Sequence, residues 1–266
     1  MAIRLNYMWA LLALQAVAFY PIWGWFIRRI SDTSDEPWGL MAIGACAALV
    51  ALDNRRNDVQ CNRLMLPALI TLAYGLTFHF VPHLVQAFLA VTAIGCTIGV
   101  IRYGSAVHVP MWGVLVLSLP IIPSLQFYFG YPLRLSSGAI AAPLLQLSGL
   151  AVVQEGSCLR YGAELVAIDA PCSGVHMLWT GLLLAFSIAW YRKLNNWQTI
   201  IYATLTFVAT IPANGLRAAT LFLVESTPGL FPLWYHEAAG LTVFTMFSIG
   251  ILWLCHQFQG DYQCET

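Results

Sequence analysis

Long apolar runs, separated by short polar or proline-marked turns, recur along almost the whole chain. A helix needs about 20 mainly apolar residues to cross a bilayer, with roughly 17–25 tolerated. Runs of this kind cover residues 6–27, 38–52, 64–80, 84–101, 107–127, 172–190, 197–213 and 237–256, which predicts about eight transmembrane helices. The second, Trp38 to Leu52, is the shortest. Pro82 punctuates the brief connection Val81–His83, as expected of a tight hairpin between spans. The first run has no cleavage site of small residues, so it reads as a retained helix rather than a removed signal peptide.

The stretch 131–171 breaks the rhythm. It opens with Tyr131-Pro-Leu-Arg134 and continues with an apolar segment, Leu135 to Leu150, that Gly138 and Pro143 interrupt. That pattern predicts a re-entrant or interfacial helix rather than a further span. β-Branched residues around Gly156 and Gly162 then predict a short hairpin. The expected fold is an all-α polytopic membrane protein, with about eight transmembrane helices, one re-entrant or interfacial helix and a short extracytoplasmic hairpin. It forms a single integral membrane domain over 1–266. Residues 1–127 carry five N-terminal spans, 128–171 the extracytoplasmic or re-entrant segment, and 172–256 the spans that hold the candidate chemistry. No internal repeat, low-complexity tract or second domain is apparent.

Composition agrees with the pattern. Of 266 residues, 59% are hydrophobic and only 9% charged, and the mean hydropathy is +0.73. A soluble domain carries about 25% charged residues, so lipid is the natural solvent. The formal net charge is zero, which gives no reason to expect a nucleic-acid partner. With both termini inside, the inner segments hold Arg4, Arg55, Arg56, Arg63, Arg102, Arg192 and Lys193. The outer ones hold Arg28, Arg29, Arg134, Arg160 and Arg217. This bias, with Asp32, Asp35, Glu36, Glu155, Glu164 and Asp169 outside, favours that orientation.

Three short stretches could carry chemistry, all on the outer side in this topology. The first is Asp169-Ala-Pro-Cys-Ser-Gly174. Asp169 is placed to cap a helix and Pro171 suits its first turn, which would leave Cys172 near free N–H groups that favour a thiolate. Asp169 opposes that effect, so a nucleophilic Cys172 needs a cation or base beside it. The plainer reading is that Cys172, one of seven cysteines, simply packs. The second stretch is Pro212-Ala-Asn-Gly-Leu-Arg217, where Asn214-Gly215 is expected to end or bend a helix. Arg217 then meets apolar sequence, where an arginine needs an anion, a carbonyl or water. It could support an oxyanion, or merely anchor a helix end. The third is Trp234-Tyr-His236-Glu237, whose imidazole could serve as a base or be structural. His176, four residues after Cys172 and expected on the same helical face, is the rival base. Asp169, Ser173, His176 and Asn214 stand as supporting candidates around Cys172, Arg217 and His236.

Taken in order, Ala170-Pro-Cys-Ser-Gly174, Asn214-Gly-Leu-Arg217 and His236 resemble the exosortase/archaeosortase family, as do Tyr131-Pro-Leu-Arg-Leu135 and the Glu164-to-Asp169 approach. The resemblance covers about residues 120–245. It implies a membrane cysteine transpeptidase, sortase-like in function, in which Cys172 is the nucleophile, Arg217 the stabiliser and His236 the base. His236 points to the bacterial exosortase branch. Exosortases commonly carry Arg shortly after Cys-Ser-Gly, whereas this chain has His176. The implied substrates are exported proteins with a C-terminal signal of the PEP-CTERM type: a short motif, a transmembrane helix and a basic cluster. The implied acceptor is a lipid or glycan, and the implied location is the bacterial inner membrane with the site on the periplasmic face. No cofactor and no metal is expected. His79 and His83 have metal-ligand spacing, but Pro82 intervenes. Cys158 is expected to remain a thiol. Two other readings stay open: another membrane acyltransferase or peptidase using the same Cys and His, and a transporter or assembly subunit in which Arg217 binds an anion.

Overall fold

The structure, a computed structural model, describes residues 2–31, 38–53, 61–169, 172–225 and 234–258; at 2–9, 61, 62, 225 and 236 it describes the backbone alone. The described residues hold ten α-helices, a short 3₁₀ helix (Cys61–Leu64) and one small sheet. Three helices are individually long and apolar enough to cross a membrane: His83–Tyr103, Asn196–Val224 and Glu237–Cys255. The number rises to five if two broken pairs each count as one span, Ala10–Ala18 with Tyr20–Ser31 and Val109–Leu117 with Ile122–Leu147. Trp38–Leu52, Met65–Thr77 and Val175–Tyr191 are apolar but shorter. The helical architecture is as expected, while the count of about eight spans is not reached by length.

Packing divides the chain into two compact units. The first takes in residues 1–120 and 189–199, the second residues 121–188 and 200–260. The first unit holds α1 (Ala2–Ala18), α2 (Tyr20–Ser31), α3 (Trp38–Leu52), α4 (Met65–Thr77), α5 (His83–Tyr103) and α6 (Val109–Leu117). The single first helix expected over 6–27 is instead broken at Phe19, with a 65° bend. Phe19 is fully buried there and meets Tyr74 of α4 edge-on, ring centroids 4.7 Å apart. Packing that ring inward compensates for the interrupted helix.

A polar knot ties the ends of several elements in this unit. Tyr103 Oη donates to Asp53 Oδ2 at 2.7 Å, and Trp190 Nε1 donates to Tyr103 Oη at 2.8 Å. Arg102 Nη1 donates to the Asp53 carbonyl. The His108 ring stacks on Tyr103 at 3.9 Å, and its Nδ1 accepts from Met111 N at the start of α6. His79 and His83, by contrast, are separated: α4 ends at Thr77 and α5 begins at His83, whose ring stacks on Trp25.

The second unit holds α7 (Ile122–Leu147), β1 (Val152–Glu155), β2 (Cys158–Tyr161), β3 (Glu164–Ala167) and most of α8 (Val175–Tyr191), α9 (Asn196–Glu225) and α10 (Trp234–Cys255). α7 corrects the expectation for 131–171. Residues 122–147 form one helix of 26 residues that runs through Pro132 and Pro143, and the break lies earlier, at 118–121. Of the two residues read as interruptions, Gly138 is contact surface, buried with Gly130, Ser137, Ala141 and Ala142, while Pro143 is exposed. A Cβ on Gly138 would stand 2.8 Å from Gln154 Nε2, so β1 lies close over the helix at that point.

The expected hairpin is a three-stranded antiparallel meander, β1-β2-β3. Its two-residue turns place Gly156 and Gly162 at φ +60°, where glycine carries no steric penalty. Val152, Leu159 and Ile168 are buried with Ala141, Ala142 and Leu145 of α7 and Ala218, Ala219 and Phe222 of α9. On the exposed side, Arg160 Nη2 and Glu155 Oε2 lie 2.5 Å apart. That guanidinium holds the Glu155 carboxyl below its ordinary value, mainly through the hydrogen bond. α9 also departs from expectation: it continues through Pro212 and Asn214-Gly215 to Glu225.

Gly215 explains why the helix does not end there. A Cβ at this position would lie 2.5 Å from Ile140 Cβ, so the missing side chain is what lets α9 meet α7. Alanine normally favours a helix over glycine by about 1 kcal/mol, but here the clash with a β-branched neighbour dominates. Gly215→Ala is expected to lower stability by about 1–3 kcal/mol. Gly75→Ala in α4, where a Cβ meets nothing within 4 Å, should lower it not at all. Thermal unfolding in detergent compares the two.

Candidate active site

The Cys-Ser-Gly segment does not belong to α8. That helix begins at Val175, and Cys172 lies in the turn before it, its N–H bonded to the Asp169 carbonyl at 3.0 Å. Asp169 thus contributes its main chain, and its exposed side chain does not cap α8 as expected. Ala170 and Pro171 lie outside the described residues. Ser173 is the residue at the helix entrance. It is fully buried, its Oγ accepts from Val175 N at 3.4 Å, and it donates to Gln126 Oε1 of α7 at 3.0 Å.

Gly174 turns the chain into α8 at φ +92°. Any other residue would be strained there, and its Cβ would lie 2.8 Å from Asn214 Cγ. The expectation that His176 shares a helical face with Cys172 fails for the same reason, because residues 172–174 are not α-helical. His176 is the second residue of α8 and half-buried.

Asn214 is the pivot of the arrangement. It is 1% exposed, and its Nδ2 donates both to Ser137 Oγ of α7 at 2.7 Å and to the Cys172 carbonyl at 3.1 Å. Ser137 Oγ in turn donates a hydrogen bond to the Leu133 carbonyl at 2.8 Å. α7, α9 and the cysteine turn are therefore joined through one side chain. The Cys172 side chain packs, half-buried, against the cluster of Ile168, Ala218 and Phe222.

Arg217 follows Asn214 by three residues on α9, hence on the same face about 4.5 Å further along the axis. It is half-buried inside the helix rather than at the helix end expected from Asn214-Gly215. Its guanidinium lies against α10: a Cβ on Gly240 would be 3.5 Å from Arg217 Nε. His236 precedes Gly240 by four residues within α10, so its backbone occupies the same helix face one turn earlier, about 6 Å away. The His236 side chain lies outside what the structure describes. The three positions thus follow one another through direct neighbours, Cys172 to Asn214, Asn214 to Arg217, and Arg217 to the α10 face that carries residue 236. A model of the transmembrane exosortase family matches residues 7–254. The chain belongs to that family.

No curated protein and no solved structure matches the chain. Membership makes this exosortase an integral membrane protein, and the family generally comprises membrane cysteine peptidases or transpeptidases acting on proteins with C-terminal sorting signals. Among the described residues no group of three or more His, Cys, Asp or Glu side chains is placed to hold a metal. Cys158 lies on β2 opposite Ala167 and, like Cys172, is a thiol rather than half of a disulfide.

Sequence reasoning had passed over Ser137, Gln126 and Gly240. Ser137 and Gln126 carried a legible signal, since a polar side chain inside an apolar run must find a partner. Gly240 carried none, because its role is only to leave room. Asn214→Ala removes two donors from buried acceptors and is expected to lower stability by about 1–3 kcal/mol. Asn214→Asp should lower it further, because it also buries a carboxylate. Unfolding midpoints in detergent, with the rate of iodoacetamide labelling of Cys172, check both effects; labelling that stays at the wild-type rate would show that the clamp does not hold the cysteine turn.

Proposed function

We infer that this exosortase is a cysteine transpeptidase in which Cys172 is the nucleophile, Arg217 the stabiliser of charge on the reacting carbonyl, and His236 the base. The observation that carries the reading is the Asn214 clamp. It fixes the Cys172 main chain to α9, and the same helix presents Arg217 one turn away. A thiol and a guanidinium held in register by one buried amide suit acyl transfer, where an oxyanion forms beside the attacking sulfur.

In the proposed reaction His236 takes the Cys172 proton, and the thiolate adds to a peptide carbonyl. Arg217 faces the resulting oxyanion. Collapse of the intermediate breaks the C–N bond, and the imidazolium returns its proton to the departing amine. The remaining thioester is resolved by an amine or hydroxyl of a lipid or glycan, which takes the acyl group and regenerates the thiol; water in that place would give hydrolysis. The substrate is an exported protein ending in a short motif, a transmembrane helix and a basic cluster. Its helix shares the plane of the membrane with the enzyme, so the scissile bond arrives at a set depth and the encounter is oriented in advance. The charge bias of the loops supports a site on the outer face of the inner membrane.

Cys172→Ala is expected to abolish processing of a co-expressed protein with such a tail, at unchanged enzyme levels. Mass spectrometry of the mature C-terminus reports cleavage and acceptor together. His236→Ala is expected to lower turnover at least 100-fold, and His176→Ala by far less; the reverse order would move the base to α8. Processing that survives Cys172→Ala would leave the transporter or assembly reading standing.

A further inference from the structure

The small sheet has one edge that is covered and one that is not. β1 packs along α7, where Gln154 Nε2 donates to the Leu135 carbonyl at 2.9 Å. β3 is the other edge of the three-stranded order, and no further strand pairs with it among the described residues. The pairing register defines what that edge offers. Tyr161 and Glu164 flank a two-residue turn and Val166 lies opposite Leu159, so Glu164 and Val166 direct their N–H and C=O groups to β2. The Ile168 N–H continues that side, bonding the Ser157 carbonyl at 3.0 Å. Leu165 and Ala167 therefore turn their N–H and C=O groups outward, two residues apart, which is the spacing an added strand requires.

The position of this edge matters more than its existence. β3 ends at Ala167, and the next residue, Ile168, is buried in the cluster against which Cys172 packs. Asp169 then supplies the carbonyl that holds the Cys172 N–H. The open edge runs directly into the cysteine turn. Leu165 is 55% exposed and stands at the open end of the cross-strand row Val153–Arg160–Leu165 on the exposed face of the sheet. An extended chain beside β3 would set alternate side chains against Leu165 on that face.

We propose that the β3 edge receives the extended segment of the protein substrate just before the scissile bond as a fourth strand, and delivers it to Cys172. This rests on the reading of Cys172 as the nucleophile. Backbone pairing at Leu165 and Ala167 aligns any sequence, and the exposed face beside them, with Leu165 nearest and Arg160 next to it, meets side chains at every second position. A short motif before a transmembrane helix is recognised in this way without a deep pocket.

The test uses the full-length enzyme in detergent and a synthetic peptide covering the motif and the following apolar turn of a protein with such a tail encoded in the same genome. Single N-methyl groups are scanned through the residues before the scissile bond. Cleavage efficiency is expected to fall about three- to tenfold at alternate positions, the effect of one lost hydrogen bond, and to change little between them. A flat scan, with cleavage still dependent on Cys172, overturns the edge proposal and leaves the nucleophile reading intact. Cleavage that persists in Cys172→Ala, or no cleavage by the wild type, overturns the nucleophile reading itself.

Ala167→Pro removes one outward N–H without touching the β2 ladder. It should raise KM while leaving kcat, the unfolding midpoint and iodoacetamide labelling of Cys172 near wild type. If the edge instead pairs with a second copy of this chain, Ala167→Pro will change the particle mass in detergent and leave KM alone, which also overturns the proposal.

Discussion

One buried amide sets the geometry on which the rest of the site depends. The Asn214 side chain is out of contact with solvent, so each hydrogen bond that it makes has no competing water partner and each one left unmade would be costly. Its two donors go to different elements, Ser137 on α7 and the Cys172 carbonyl in the turn before α8. Shifting either element by an ångström would break one of them. The surroundings are shaped to let the amide reach both, since Gly174 leaves the space beside it open and Gly215 lets α9 settle against Ile140.

Seen from this amide, the sheet and the helices of the second unit have complementary duties. The meander supplies Val152, Leu159 and Ile168 to the apolar cluster and so fixes the approach to the cysteine from one side. α7 supplies Ser137 and Gln126, which hold Asn214 and Ser173 from the other. The knot of Asp53, Tyr103 and Trp190 belongs to the first unit and to the framework there, joining three segments that are far apart in sequence.

Much of this is legible in the sequence alone. Apolar runs located most of the helices, Gly156 and Gly162 located the hairpin turns, and the ordered trio of motifs gave the family. Three expectations failed for related physical reasons. Gly138 and Pro143 read in the sequence as interruptions and Asn214-Gly215 as a helix end or bend, as they would be in water. In a packed helix without competing solvent, small residues become contact faces, and a lost proline hydrogen bond is outweighed by neighbours. The breaks at Phe19 and at 118–121 do carry a local signal, Pro21 just inside α2 and Pro120 within the second break. The placing of Cys172 outside α8 depended on the φ of Gly174, and a backbone angle is not written in residue type alone.

Gly240 has so far figured only as the neighbour of Arg217. At that point an added Cβ would be in ordinary van der Waals contact with the guanidinium, at 3.5 Å, whereas anything longer would need the same volume. The swing available to the arginine is therefore metered from the opposite helix by how much side chain residue 240 carries. A position with no functional group of its own thus acts as a spacer gauge, its size setting the room left to the guanidinium.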